Sequence, residues 1–351
     1  KKMKKLAAIG AVSLFFAALF GAGSAFAVDP IPKQPGFSGF FRPGVGFVDI
    51  ESNMVAEFLG TDLSKNPIDS LRKSPEGESE GTFSFAFQVN YTLSNLSTQF
   101  FFGPELSDLA RFDISQQIGV KQEIGHWGIL QAGFLFSGIT AEVWSDPYMV
   151  DQKRKETDRD SSGAKLAWGR MFGSGLEIEY TYRDLEIDKE RSGEFLGLSD
   201  ADRKLLARDG DIHEIEVLYS FRLNERSRLI PSFTYQMDDR DGDARNNDEY
   251  VFQVTYAYLG ADPFSFTLNV LAGWADYDKR NPVPDFRNRT QEDDLYGLNG
   301  TVYYKNPWGW TVMGSKPVNF FIDGAWARRD ANIDFYDEEI VSGALGAMFV
   351  W

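Results

Sequence analysis

Apolar and polar residues alternate along much of this chain, from about residue 37 to the last residue. The clearest stretch, 82–93, keeps the alternation over a dozen positions. Its apolar positions are Phe83, Phe85, Phe87, Val89, Tyr91 and Leu93, and its polar or small positions are Thr82, Ser84, Ala86, Gln88, Asn90 and Thr92. Because successive side chains of a β-strand point to opposite faces, this period of two predicts a strand with one apolar and one polar face.

Thirteen further segments alternate in the same way. Three of them, 213–222, 249–258 and 264–274, are nearly as regular as 82–93. The other ten are 37–50, 98–103, 112–124, 129–138, 163–171, 176–187, 228–238, 295–305, 318–329 and 339–351. The chain is therefore predicted to be all-β with about 14 strands. If the short segment 98–103 and its neighbour are miscounted, the next even number is 12.

The connections between these segments alternate in length. The long ones are 51–81, 104–111, 139–162, 188–211, 239–248, 278–294 and 330–338, and the short ones are 94–97, 125–128, 172–175, 223–227 and 260–263. Only 306–317 departs from this rhythm. Short periplasmic turns and long extracellular loops are typical of outer-membrane barrels, so the pattern predicts a transmembrane, antiparallel, up-and-down β-barrel.

The two ends of the chain predict where it is located. A basic start, an apolar run from Leu6 to Phe20 and the small-residue site Ala25-Phe26-Ala27 predict a secretory signal peptide, 1–27, that is cleaved after Ala27. The mature protein, 28–351, is then expected to be a single barrel domain in the outer membrane of a Gram-negative cell. The last segment ends in Trp351, which resembles the C-terminal signal that the barrel-assembly machinery recognises.

Composition narrows the function classes. The chain has no cysteine, which excludes disulfides, thiolate metal sites and a lipid anchor on cysteine. Its net charge of −16 disfavours nucleic-acid binding. Aromatic residues make up 15% of the chain, and alternation explains how so many can be accommodated in a polar sequence. No cofactor motif is present, and we expect no cofactor.

If the apolar faces contact lipid, the opposite faces line the barrel interior. The charged residues predicted to line a pore are Arg111, Asp113, Lys121, Glu123, Glu177, Glu179, Arg183, Glu214, Glu216, Arg222 and Asp323. Rings of charged side chains set selectivity in water-filled pores. Their mixed signs allow two interpretations, a transverse field across an open channel or a plug of paired charges. The segment 28–35 is too short to form a plug domain.

The acidic loops and the two histidines are the other candidate sites. Asp238, Asp239, Asp241 and Asp243 could bind Ca²⁺ or Mg²⁺, although a solvated acidic rim is the simpler interpretation and no metal site is predicted. His126 falls in a predicted turn, and His213 lies near Asp209 and Asp211 at the predicted outer rim. A rim hydrolase is therefore the least favoured hypothesis, and we expect that the protein is not an enzyme.

Four stretches of the chain resemble a known family. They are Trp144-Ser145-Asp146-Pro147-Tyr148, Arg208-Asp209-Gly210-Asp211, Asp294-Leu295-Tyr296-Gly297-Leu298 and Asn332-Ile333-Asp334-Phe335-Tyr336-Asp337. They are similar to Gram-negative outer-membrane proteins catalogued as domain of unknown function 2860. The resemblance implies an outer-membrane barrel of this length and implies no activity, since the family has none assigned.

The favoured function is a porin-like passive channel for small hydrophilic solutes, with a mild cation preference from the acidic loops. The alternative is a structural or interaction barrel with a filled lumen, whose loops contact lipopolysaccharide or a partner protein. In either case the expected partners are outer-membrane lipids, lipopolysaccharide and, through the C-terminal strand, the barrel-assembly machinery. The sequence leaves the oligomeric state open.

Overall fold

The computed structural model describes residues 28–58, 61–63, 67–104, 114–139, 141–260, 263–312 and 316–351. The predicted signal peptide, 1–27, lies outside these residues. Among them, no helix is both long enough and apolar enough to cross a membrane.

Fourteen antiparallel strands form a closed barrel. In chain order they are β1 (Gly36–Glu51), β4 (Glu78–Thr92), β5 (Thr98–Pro104), β6 (Ile114–Glu123), β7 (Ile129–Ile139), β9 (Glu156–Gly169), β10 (Leu176–Ile187), β11 (Gly210–Tyr219) with its continuation β12 (Phe221–Arg222), β13 (Ser227–Arg240), β14 (Asn247–Tyr258), β15 (Phe264–Arg280), β16 (Thr290–Tyr304), β18 (Lys316–Ala331) and β19 (Glu338–Val350). Each pairs with its neighbours in the chain, and β19 pairs with β1. The predicted fold and the count of 14 are therefore confirmed, since 98–103 forms β5.

The alternating apolar and polar residues of each strand lie on opposite faces of the barrel wall. In β4, Phe83 is 63% exposed whereas Ser84 is 3% exposed. The same contrast recurs around the barrel, with large apolar side chains exposed on the outside in nearly every strand. Such a surface is stable only against a lipid core, and this is the architecture of outer-membrane barrels.

Several strands continue beyond their apolar alternation. Strand β9 begins at Glu156 rather than near 163, and β15 runs to Arg280 rather than to about 274. The added residues include Asp158, Asp160, Asp276 and Asp278. The part of a strand that extends above the membrane has polar residues on both faces. The strand therefore continues beyond the segment in which apolar and polar residues alternate.

Two outer connections contain strands of their own. The connection 52–77, called L1, holds β2 (Val55–Phe58) and β3 (Thr61–Asp62), and the connection 140–155, called L3, holds β8 (Ala141–Trp144). Strand β2 pairs with β8 at Val55 and Val143. L1 is thus folded back over the barrel to meet L3.

The connection between β16 and β18, which is long for a periplasmic turn, also has a defined structure. It contains β17 (Thr311–Val312), which pairs with the start of β18. Trp308 and Trp310 are exposed, and the Trp308 ring packs 4.7 Å from that of Phe320. Tryptophans at this level are typical of the aromatic belts at membrane interfaces.

Candidate functional site in the barrel interior

The outer loops meet in an apolar cluster above the barrel, which we call the outer cap. Five loops contribute to it: L1, L3, L4 (188–209), L6 (281–289) and L7 (332–337). Its buried members are Leu71, Tyr148, Leu206, Val283, Phe286, Ile333, Phe335 and Tyr336. A cluster drawn from five separate loops ties these loops together above the barrel.

Hydrogen bonds cross the middle of the outer cap. The hydroxyls of Tyr148 and Tyr336 are 2.8 Å apart, and the Asn281 side-chain amide donates to the Tyr336 hydroxyl at 2.6 Å. Burial raises the pKa of the Tyr148 hydroxyl well above its ordinary value, and the neighbouring Tyr336 raises it further. Tyr148 therefore acts as a neutral hydrogen-bonding group, and its contact with Tyr336, which also binds Asn281, joins L3, L6 and L7.

One carboxylate organises the turn of L4 against L3. Asp146 accepts hydrogen bonds from the backbone amides of Tyr148 at 3.1 Å, Gly193 at 3.1 Å and Phe195 at 2.8 Å. Asp146 is itself buried. A buried carboxylate with several amide donors is well satisfied, so this residue fixes both loops.

Arg208 makes a second link between L4 and L3. Its guanidinium donates to the carbonyl of Trp144 at 2.7 Å and pairs with Glu190 at 2.6 Å. Burial opposes ionisation of Glu190, but the charge and hydrogen bonding of Arg208, together with hydrogen bonds from Ser192, outweigh it, so the pKa of Glu190 is lowered.

Three of the four stretches that carry the family resemblance meet in this region. Residues 144–148, 208–211 and 332–337 all lie at the outer end of the barrel, while 294–298 forms part of β16 in the wall. The sequence shows these stretches as separate segments. Their meeting in one assembly is visible only in the structure.

A cavity of about 160 Å³ lies beneath the outer cap. Its apolar lining residues include Val55, Val143 and Leu185. Charged side chains of both signs also line it, and these are Arg159, Arg183, Arg208, Arg240, Arg245, Arg329, Asp238, Glu249 and Glu338.

Ion pairs connect most of these charged groups. Arg329 lies 2.7 Å from Glu249 and 3.0 Å from Asp293, and Arg240 lies 2.5 Å from Asp238. Arg245 donates to Gln291 at 2.9 Å, and its guanidinium lies 4.7 Å from the centroid of the Tyr336 ring. The Tyr336 ring thus joins the cavity to the outer cap above it.

L1 fills the interior beside strands β1, β18 and β19. Val55, Phe58 and Leu63 of L1 pack against inward-facing residues of the wall such as Ile50 and Ile340. Below them Arg42 forms a fully buried ion pair with Asp323. The Arg42 guanidinium also lies 3.6 Å from the centroid of the Phe321 ring.

The predicted pore-lining residues occupy several environments. Buried on the inner face are Lys121, Glu177, Glu179, Arg183, Glu214 and Asp323. Glu216 is half-buried there, Glu123 lies at the periplasmic end of β6, and Arg222 is exposed beside the turn to β13. Arg111 and Asp113 lie outside the described residues. Whether these groups line a conducting path stays a prediction.

The structure adds partners that the sequence analysis did not name. Lys165 lies 2.5 Å from Glu179, and Arg42 pairs with Asp323. Both cations sit on the polar face of segments that were predicted as strands. Their position on that face was a usable signal, but their partners on other strands could not be read from it.

The inner faces of β13 to β16 differ from the rest of the wall. We call this surface the polar strip, and its half-buried residues are Ser232, Thr234, Gln253, Thr255, Asn269 and Asn299. The Thr255 hydroxyl donates to Asn269 at 2.5 Å, and Asn269 donates to Asn299 at 2.5 Å. The polar strip is uncharged, hydrogen-bonding and accessible to solvent.

At the periplasmic end, residues 28–35 cross the opening, and we call them the N-terminal strap. Val28 and Ile31 are buried against Ile129 and Ala167, and Lys33 pairs with Glu123. The strap joins β1, the first barrel strand, to the region of β9 and β10, the sixth and seventh of fourteen. Eight residues can span roughly 26–29 Å when extended. They are too few for a plug domain, yet they reach the opposite wall.

The predicted acidic and histidine sites are dispersed. Asp238 faces the interior and pairs with Arg240, whereas Asp241 and Asp243 are exposed in the following loop. Asp239, the next residue of β13, accepts a long hydrogen bond of 3.4 Å from Asn246. Within the described part of the chain, no group of three or more His, Cys, Asp or Glu side chains is placed to hold a metal ion.

The two histidines lie apart from the interior. His213 is on the outer face of β11, where its Nδ1 lies 2.8 Å from the Tyr180 hydroxyl. The neighbouring Asp211 accepts a hydrogen bond from Tyr182, and Asp209 accepts one from the backbone of Ile187. His126 is exposed in the turn Gly125–Trp127, with its ring 5.2 Å from that of Trp127.

Comparison with known proteins confirms the family resemblance. The family described as "Protein of unknown function (DUF2860)" matches residues 36–348. No curated protein matches the chain.

Solved structures with a similar fold are distant in sequence. A FadL homologue of Pseudomonas aeruginosa is 13% identical with a TM-score of 0.45, and the match covers 96% of this chain and 97% of that one. A loop-deletion mutant of OmpT, an outer membrane protein of Vibrio cholerae, is 10% identical with a TM-score of 0.40, covering 90% and 100%. OccK3 (OpdO) of Pseudomonas aeruginosa is 11% identical with a TM-score of 0.35, covering 89% and 95%. Likenesses at this level carry no argument about function.

Proposed function

The chain belongs to the DUF2860 family of proteins of unknown function, and we propose that it is an outer-membrane channel for small hydrophilic solutes with a closed outer mouth. The observation that carries this proposal is the polar strip. Its side chains are uncharged and half-buried, and those of Thr255, Asn269 and Asn299 form a hydrogen-bonded row, which suits a hydrated solute path.

A barrel of 14 strands is wider than its own side chains can fill. L1 and the ion pair between Arg42 and Asp323 occupy the side of β1, β18 and β19. The polar strip lies on other strands and is left accessible. We therefore propose that solutes pass along the polar strip, and that the outer cap moves to admit them.

A mild cation preference is the second part of the proposal. Inside the barrel, Arg42, Lys165, Arg240 and Arg329 each have a carboxylate partner, so their fields largely cancel. Exposed acidic residues remain at the outer end, namely Glu76, Asp241, Asp243, Glu292 and Asp294. The sign of the reversal potential across a KCl gradient in planar bilayers tests this preference.

The test of the channel uses two neighbouring positions on β15. Asn269 lies on the polar strip, and Val270 is half exposed on the lipid face. We expect conductance steps from the purified protein, a lower single-channel conductance for Asn269→Trp and an unchanged one for Val270→Trp. Absence of steps in the unaltered protein, or equal effects of both substitutions, would contradict a path along the polar strip.

A structural or interaction barrel is the second candidate, and the outer cap favours it. A buried apolar cluster that joins five loops presents a fixed surface to lipopolysaccharide or to a partner protein. If that is the function, liposome swelling assays should be negative even when the outer cap is destabilised. For both candidates we propose that the protein is not an enzyme, and that the assembly machinery recognises β19 and Trp351.

A further inference from the structure

The start of the N-terminal strap is held in a pocket of the barrel wall. The backbone nitrogen of Val28 donates to the Oε2 atom of Glu177 at 2.8 Å, and both residues are buried. Gly169 makes room for this contact, because a Cβ at that position would lie 2.6 Å from the Cβ of Val28. Ile129 and Ala167 pack against Val28, and the buried side chain of Lys121 also interacts electrostatically with Glu177.

A buried carboxylate favours a positively charged partner. One amide hydrogen gives a neutral hydrogen bond, whereas an ammonium group offers three hydrogens and a full charge at the same place. A charge-assisted bond is shorter and about twice as strong as a neutral one. The position of the Val28 nitrogen therefore suits an α-ammonium group better than an amide.

The sequence pattern points to the same atom by a separate route. The small residues Ala25-Phe26-Ala27 predict cleavage between Ala27 and Val28, which makes Val28 the new N-terminus. This prediction does not depend on Glu177, yet it points to the nitrogen that Glu177 binds.

We propose that processing creates an α-ammonium group on Val28, which forms an ion pair with Glu177 and fastens the N-terminal strap across the periplasmic end of the barrel. Water adds across the Ala27–Val28 peptide bond, in a reaction that a signal peptidase catalyses. Ala27 leaves as a carboxylate, and the Val28 amine takes up a proton. Before cleavage this nitrogen carries no charge, so the ion pair exists only in the mature protein.

The test measures how fast the α-amine reacts with an acylating reagent at neutral pH in the folded, detergent-solubilised protein. Mass spectrometry first identifies the N-terminal residue and then follows its acylation. We expect Val28 to be the N-terminal residue. Its amine should be acylated roughly tenfold or more slowly in the unaltered protein than in Glu177→Gln, because the substitution removes a charge-assisted hydrogen bond that protects the amine. Lys73, which is exposed, should react equally in both proteins and serves as the internal reference.

Glu123→Gln is the matched control. It removes the carboxylate that pairs with Lys33 in the same strap, and it should leave the protection of the Val28 amine unchanged. Equal acylation rates in the unaltered protein and in Glu177→Gln would overturn the proposal, as would an N-terminus at any other residue.

A second variant keeps the test decisive if Glu177→Gln does not fold. Inserting Gly-Ser between Ala27 and Val28 keeps the Glu177 carboxylate but moves the amine away from it. Fast acylation of the displaced amine supports the ion pair, and continued protection refutes it. The experiment depends on the fold and on processing, so its outcome is independent of whether the barrel conducts.

Discussion

The two ends of the barrel are crossed by very different structures. The outer cap joins five loops through a buried cluster that includes Tyr148 and Phe335, and carboxylates such as Asp146 bind several backbone amides. The N-terminal strap is a single segment with two apolar side chains in the wall and one buried polar contact. Many shared contacts make a closure cooperative, so the outer cap is expected to open as a unit and the strap by itself.

The largest effect is expected from Phe335→Ala in the outer cap. Phe335 is fully buried, and its ring lies 5.5 Å from that of Tyr148 and 5.4 Å from that of Phe286. Removing a buried ring costs about 3–5 kcal/mol. We expect faster proteolysis of the outer loops and, if the barrel conducts, higher conductance in planar bilayers.

Phe195→Ala is the control for that experiment, because Phe195 lies in L4 and is partly exposed. It should leave both readouts close to those of the unaltered protein. Heat modifiability on gels shows whether the barrel itself remains folded. If Phe335→Ala and Phe195→Ala give the same proteolysis rate and the same conductance, the outer cap does not open as a cooperative unit.

A smaller effect is expected from Asp146→Ala. The change leaves the backbone amides of Tyr148, Gly193 and Phe195 without their acceptor. An unsatisfied buried group costs about 1–3 kcal/mol. Hydrogen exchange should accelerate at 193–195, while exchange in the barrel strands stays the same. Asp200→Ala, at an exposed position in the same loop, is the matched control.

The smallest effect is a pH dependence of the pairing between L1 and L3. Burial, together with the carboxylates of Glu57, Glu156 and Asp158, raises the pKa of Glu142 to about 7. The folded loops therefore bind a proton more tightly than the unfolded chain, and their stability falls as the pH rises from about 4.5 towards 7.

Hydrogen exchange at residues 141–144 should thus be faster at pH 8 than at pH 6, after correction for the intrinsic rate. In Glu142→Gln the difference should shrink, since the group that titrates is gone. An unchanged difference in this variant would mean that another group controls the pairing.

The strands of the barrel wall can be predicted from the sequence because each of them repeats the same local alternation of apolar and polar residues. Phe83 and Ser84 differ in exposure as their alternation predicted, and the short β5 was found by the same rule. The outer cap and the N-terminal strap show no such repeating pattern in the sequence. Tyr148 and Tyr336 are 188 residues apart, and nothing local in either segment indicates that their hydroxyls meet.

The interior was predictable in its chemistry but not in its geometry. The alternation predicts that Glu177 and Asp323 lie on the polar face. It does not reveal that Glu177 binds Val28 or that Asp323 pairs with Arg42. The number of residues in 28–35 argued against a plug domain. It did not show that an extended segment of that length crosses the barrel.

The seam between β1 and β19 has a consequence for the order in which the molecule folds. The backbones of Gly39 and Trp351 exchange two hydrogen bonds of 3.0 Å, although they are 312 residues apart. Strand pairing over such a separation carries a large loss of chain entropy and forms late in folding. Until β19 pairs with β1, two strand edges remain open to any other strand. Pairing at this seam thus determines whether a nearly finished sheet becomes a closed barrel or a template for aggregation.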